Sequence, residues 1–234
     1  MEVNEEDGQD CDGLPLTEVE AATLPSRRNV MVELREALVF DYDGVIADTE
    51  PLHWKSWALL LSKYGIQLGW DEYCRIGLGV SDEQIYEHFR ARMPHSDARA
   101  FAEQNGERKR MVLELSLKES PIAQKTIAML RSLDGYRLGL VTNSDQADVE
   151  PVLCAALVQD RFDAMIFGGD AARPKPSPAP YLLIADRLGV KTGIAFEDSE
   201  PGLESARAAG FRTVKIERAS DLSKIVELTL RCFC

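Results

Sequence analysis

The first basic residue does not arrive until Arg27, after Glu2, Glu5, Glu6, Asp7, Asp10, Asp12, Glu18 and Glu20. That opening supplies much of the net charge of −12, and the rest of the chain is only mildly acidic. A nucleic-acid partner would want a basic face, and none is in view. The opening also lacks the basic start and apolar stretch of a signal peptide. No segment approaches the roughly 20 apolar residues that cross a bilayer, so no membrane partner is expected. Through about Asn29 there is no helical or alternating periodicity, and Gly8, Gly13, Pro15 and Pro25 interrupt it. Residues 1–30 are therefore expected to form a disordered acidic tail. Met31 could serve as an alternative start, and nothing chemical would be lost with the tail. Cysteine is scarce and odd in number: Cys11, Cys74, Cys154, Cys232 and Cys234, with no zinc-knuckle spacing. Cys232 and Cys234 could share a soft metal, although two thiolates at a chain end are more often incidental. Reduced thiols in a cytoplasmic protein are the expectation.

What is present begins with Ala37-Leu38-Val39-Phe40, short and apolar enough to be a buried strand, followed by Asp41-Tyr42-Asp43-Gly44. In extended backbone, side chains two apart point the same way, so Asp41 and Asp43 would face one point. At about 4 Å and an effective dielectric near 20 their repulsion is roughly 4 kcal/mol, which suggests a cation between them. Oxygen-only ligands favour Mg²⁺ over zinc. Alone, the tetrapeptide is also what a strand running into an acidic turn looks like.

The 45% hydrophobic content and the 234 residues suit one large domain, or a core with a smaller partner. From Glu50 to Leu117 the pattern is helical. Trp54, Trp57, Leu60, Leu61 and Tyr64 recur at helical spacing up to Gly65. Asp71 could cap a short helix closed by Gly77 and Gly79. Ser81 with Gln84 has the form of a capping box opening a helix to about Arg92. Pro94 breaks that helix, and a long one follows from about Asp97 to Leu117. Beyond Ser120-Pro121 helices alternate with strands. Helix is expected at Ile122–Leu133, after Val141 to Leu157, at Ala179–Leu188 and at Pro201–Ala209. Strand is expected at Arg137–Val141, Asp163–Phe167, Gly193–Phe196 and Phe211–Ile216. The implied fold is α/β, a Rossmann-like parallel sheet core with an inserted all-helical domain. Residues 31–49 and 118–234 would form the core, and 50–117 the insert.

In such a sheet ligands bind beyond the carboxyl ends of the strands. Reading the residue after each expected strand tests the site. Asp41 and Asp43 follow the first, Thr142-Asn143-Ser144 the second, the loop holding Lys175 the third, and Glu197-Asp198-Ser199 the fourth. Carboxylates, a hydroxyl, an amide and a lysine on one edge are what a phosphoryl group with a metal requires.

These motifs, with Phe196-Glu197-Asp198-Ser199, Gly202, Ala206 and Ala209-Gly210, resemble those of the haloacid dehalogenase superfamily. The resemblance is to its phosphatase and β-phosphoglucomutase-like branch with a helical cap, and covers about residues 35 to 217. It implies that Asp41 is the nucleophile that forms an aspartyl-phosphate. Asp43 would be the general acid and then the base. Mg²⁺ would be held by Asp41, the backbone carbonyl of Asp43, and Asp198, with Glu197 as ligand or just behind. Thr142, Asn143 and Lys175 would hold the phosphoryl group. A monomer is the family default. Asp48 is expected only to cap the helix that starts at Thr49.

Mutases of that branch carry a His and a Trp four apart, as His53 and Trp57 stand here. His53 would be either a partly buried helix residue or a substrate contact, and Trp57 a core residue. Where the mutases hold a second phosphate with arginine, this chain has Asp82, and their cap lysine falls near Gln104, with Arg108, Lys109 and Arg110 close by. The expected function is a Mg²⁺-dependent phosphatase of a small phosphorylated metabolite such as a sugar phosphate. A sugar phosphomutase is the alternative. A dehalogenase would not need Asp43, and a non-catalytic module would not need every catalytic position intact.

Overall fold

The computed structural model describes residues 36–78, 80–93 and 98–233. Residues 1–30, Met31, Gly79, Pro94, Asp97 and Cys234, each the subject of an expectation above, lie outside the described residues. Five strands form one parallel sheet: β1 (Ala37–Phe40), β2 (Arg137–Val141), β3 (Ala164–Ile166), β4 (Gly193–Glu197) and β5 (Arg212–Lys215). Their order is β3-β2-β1-β4-β5, so β1 is central and pairs with β2 and β4. A central strand covered on both faces has no wet side, which is why all four β1 residues are apolar and buried. The two-residue period sends Leu38 and Phe40 into one core and Ala37 and Val39 into the other. Phe40 stacks on Phe196 across the pairing at 4.9 Å.

Between β1 and β2 the chain inserts α1 (Glu50–Ser62), α2 (Trp70–Ile76), α3 (Asp82–Arg90) and α4 (Ala98–Lys118). These helices bury a separate cluster that includes Trp57, Leu61, Tyr73, Ile85, Phe89 and Met93. Trp57 is thus a core residue, as expected. The capping box at Ser81 forms in full. Asp71 is not a cap: Gly69 holds that position and Asp71 sits in the first turn, where its charge suits the helix dipole. Asp48 does not cap either. Thr49 is the N-cap of α1, no side chain caps that end, and the Asp48 N–H donates to the Pro121 carbonyl at 3.0 Å.

After the insert come α5 (Gln124–Ser132), α6 (Gln146–Ala155), α7 (Ala179–Leu188), α8 (Glu200–Ala208) and α9 (Leu222–Phe233). Leu130, Val149, Leu153 and Leu222 cover the Leu38 face, while Tyr181, Ile184 and Ala206 cover the Val39 face. β3 is shorter than expected at both ends; just before it, the Asp163 N–H donates to the Leu138 carbonyl at 2.8 Å and the Asp163 carboxylate accepts from the Leu138 N–H at 2.8 Å. α6 stops before Leu157, an exposed residue at φ 55. No helix among the described residues is long and apolar enough to cross a membrane.

Candidate active site

The carboxyl ends of β1, β2 and β4 meet at one point. Asp41 is the first residue off β1, and its N–H donates to the Phe196 carbonyl of β4 at 3.0 Å, which seats it between its neighbours. The chain then turns on the Tyr42 carbonyl, which accepts from the N–H groups of Ile46 and Ala47 at 3.0 and 2.9 Å. Gly44 makes the turn possible at φ 71, and a Cβ there would collide with the Asp198 carboxylate. On the loop between β3 and α7, Lys175 reaches back into the sheet and is 8% exposed. Its Nζ donates to Asp41 Oδ1 at 2.8 Å, to the Val141 carbonyl at 2.9 Å and to Glu197 Oε1 at 2.6 Å. Three acceptors use all three ammonium protons. Tyr181 completes this layer, donating its hydroxyl to Glu197 Oε1 at 2.7 Å.

Asp43 has different company. Its Oδ1 accepts from the Thr49 hydroxyl at 2.7 Å and its Oδ2 from the Ser144 hydroxyl at 2.6 Å. Thr142 lies buried beneath, its Oγ1 accepting from the Ser144 N–H at 3.0 Å. The Asn143 side chain carbonyl accepts from the Lys175 N–H at 3.2 Å, which ties the second strand end to the lysine loop.

Above these groups lies a cavity of about 550 Å³, walled by the strand ends on one side and by the helical insert on the other. His53, Asp82 and Arg108 face it from the insert. Arg108 is buried over the Trp57 ring and bonds to Asp82, to the Ser56 hydroxyl at 3.2 Å and to Asn105 at 3.1 Å. His53 Nδ1 lies 3.2 Å from Arg108 Nη1. A guanidinium can only donate, so the histidine nitrogen accepts.

Carboxylate oxygens of Asp41, Glu197 and Asp198 lie within 4.8 Å of one another. Burial first, then the Glu197 charge, pushes Asp41 up to about 8 despite Lys175. Burial and the Asp41 charge push Asp198 up to about 7, and burial raises Glu197. Burial alone would lower the Lys175 ammonium, but Asp41 and Glu197 outweigh it and hold the charge on. Three carboxylates facing one ammonium leave negative charge uncompensated. The buried Glu197 Oε2 also has no hydrogen-bond partner among the described residues. An all-oxygen donor set with excess negative charge fits a hard divalent cation.

Of the residues expected at the site, Asp41, Asp43, His53, Thr142, Asn143, Lys175 and Asp198 all line this one cavity. Glu197 lies beneath it, fully buried. The Asp43 carboxylate faces hydroxyls, and among the described residues the carboxylates whose oxygens approach one another are those of Asp41, Glu197 and Asp198. The insert's cations over the cavity are Arg108, which is buried, and Lys109, whereas Gln104 bonds to Tyr64. Sequence reasoning missed the roles of Thr49, Ser144 and Tyr181. Ser144 stands in the Thr142-Asn143-Ser144 motif and Thr49 at the start of a helix, but nothing in a linear pattern says that two hydroxyls converge on one carboxylate.

The sequence model described as haloacid dehalogenase-like hydrolase matches residues 38–216. The chain is 31% identical to the phosphorylated carbohydrates phosphatase of Thermotoga maritima, covering 76% of this chain and 83% of that one. It is 33% identical to the fructose-1-phosphate phosphatase YqaB of Escherichia coli, covering 80% and 98%. Among solved structures, the β-phosphoglucomutase of Clostridium difficile superposes with a TM-score of 0.62 at 26% identity, covering 77% and 83%.

Proposed function

Because the chain belongs to the haloacid dehalogenase-like hydrolases, in their phosphatase branch, we propose that it hydrolyses a small phosphorylated sugar through an aspartyl-phosphate on Asp41. One observation carries this reading: two carboxylates in one cavity have opposite surroundings. Asp41 is gripped by an ammonium, while Asp43 is held only by hydroxyls.

The Lys175 contact works against the burial that favours a protonated Asp41 and aims its carboxylate, and in the ionised form an Asp41 oxygen attacks phosphorus. As the bond from phosphorus to the leaving oxygen breaks, protonated Asp43 gives that oxygen its proton. Asp43, now a carboxylate, takes a proton from water. The water oxygen bonds to phosphorus, the bond to Asp41 breaks and inorganic phosphate leaves. The hydroxyls of Ser144 and Thr49 suit a group that changes charge, because a hydroxyl can donate to the carboxylate or accept from the acid. Thr142, Asn143 and the charge of Lys175 would steady the phosphoryl group. Asp41, Asp198, Glu197 and the Asp43 backbone carbonyl would hold Mg²⁺. When bound, that ion offsets the repulsion between these carboxylates and a phosphate dianion. The helical insert, residues 50–117, would act as the cap that excludes bulk water.

Hydrolysis is favoured over phosphomutase chemistry because Arg108, the one buried cation over the cavity among the described residues of the insert, already has Asp82 as its counter-ion. The test is phosphate release from fructose 1-phosphate and other sugar phosphates, with Mg²⁺ and with EDTA. Turnover that needs the metal and vanishes in Asp41→Asn supports the reading. Undiminished turnover in that variant sinks it.

A further inference from the structure

Every lysine and arginine that lines the cavity already carries a carboxylate partner. Lys175 is paired with Asp41 and Glu197, Arg108 with Asp82, and Lys109 with Asp145 at 2.8 Å. Glu50, Glu83 and Asp148 line the same cavity and have no ion-pair cation among the described residues. His53 is itself engaged with the arginine, its Nδ1 3.2 Å from Arg108 Nη1. The balance differs sharply between the two walls. At the strand ends a phosphoryl group would find the Thr142 and Asn143 turn and room for a divalent cation. At the insert wall an anion would meet carboxylates, or an arginine and a lysine already paired with aspartates.

We infer that the buried Asp82–Arg108 pair is a charge filter on the leaving group. It admits a neutral, hydroxyl-rich leaving group and rejects one carrying a second phosphate or a carboxylate. This rests on the phosphatase reading and adds the substrate class. The Arg108 side chain is 1% exposed and its partner 23%, so the charges attract in a region where water screens little. Four contacts fix the guanidinium: Asn105, Ser56, His53 and the face of Trp57. It cannot swing away from Asp82 to greet an incoming anion without leaving them. A sugar or polyol hydroxyl asks for no such exchange. It can donate to the second oxygen of Asp82 and accept from the remaining N–H of Arg108, because a hydroxyl serves both roles. Asp82 is also the first residue of α3, whose capping box fixes that turn, so the carboxylate is presented by rigid backbone. Rejection of a second anion then follows from like charge placed face to face.

The filter predicts effects of opposite sign for its two halves. Specificity is read as the ratio of kcat/KM for fructose 1-phosphate to that for fructose 1,6-bisphosphate, and to that for 2-phosphoglycolate, in Mg²⁺. In the wild-type protein both ratios should exceed about tenfold. Asp82→Asn frees Arg108 for an anion and should lower both ratios by about tenfold. Arg108→Gln leaves Asp82 uncompensated and should raise them. A ratio taken within one preparation does not depend on how much of a variant is folded, and a purely structural role would move neither ratio. p-Nitrophenyl phosphate, whose leaving group makes no use of the filter, reports separately on the phosphatase reading in the wild-type protein. Hydrolysis of p-nitrophenyl phosphate with equal or better use of the bisphosphate or phosphoglycolate would overturn the filter and leave the phosphatase reading standing. So would ratios that do not change in Asp82→Asn, or that move the same way in both variants. No hydrolysis of any of the four compounds would overturn the phosphatase reading and the filter with it.

Discussion

Asp41 and Asp43 are two residues apart and chemically unlike, and the difference lies in what each touches. Asp41→Asn keeps the shape and the Lys175 contact but removes the nucleophile, so kcat should fall by about a thousandfold or more while the thermal transition persists. Ser144→Ala removes one of the two hydroxyls on Asp43. It should lower kcat by roughly tenfold with little change in KM, since it acts on the proton transfer and not on binding. Lys175→Met leaves the buried carboxylates of Asp41 and Glu197 without their ammonium. Removing one partner of a buried pair should cost about 3–5 kcal/mol in a denaturant titration. Asp41, Asp43 and Ser144 were legible because they follow apolar runs, and the ends of parallel strands must converge; Lys175 was legible from the loop beyond β3. Their pairings were not. Glu197 and Asp198 are adjacent in sequence, yet alternation along β4 sends Glu197 down to Lys175 and Tyr181 and leaves Asp198 facing the cavity.

Most elements were legible for a simple reason: strands and helices of the sheet alternate, and each strand is a short apolar run between turn residues. The helix that escaped notice is α9. Its buried Leu222 and Val226 are four apart, a helical period that was present in the sequence. The family motifs end before it, so the resemblance gives no sign of it. Leu222 is fully buried in the same cluster as Leu38 and Phe40, so Leu222→Ala should cost about 2–4 kcal/mol. A chemical melt would check this, and a change under about 0.5 kcal/mol would make α9 an ornament on the fold. The ion pair between Lys109 of α4 and Asp145 before α6 is a contrasting case. Both side chains are 41% exposed or more, so Lys109→Ala should alter stability by less than about 1 kcal/mol.

At the scale of the whole molecule, the surplus of buried negative charge at the sheet edge couples metal binding to pH. Without metal, Asp41 and Asp198 are pushed up from 3.8, to about 8 and about 7. The folded protein therefore holds protons on these groups that the unfolded chain has already released. An acid whose folded pKa is raised contributes stability that is fully present below its unfolded pKa and is lost as pH climbs through the folded one. For these two groups the loss runs from about pH 4 to pH 8. Lys175, raised above 10.5, stays charged throughout and does not offset it. A divalent cation reverses the balance, because it binds the deprotonated carboxylates and gains affinity over the same interval. The melting temperature with saturating Mg²⁺ minus that in EDTA should therefore be small at pH 5.5 and widen steadily to pH 8.5. In Asp198→Asn, which has one raised carboxylate fewer and one ligand fewer, the widening should shrink. A gap that stays constant with pH, or that is the same in Asp198→Asn, would mean that Mg²⁺ binds elsewhere.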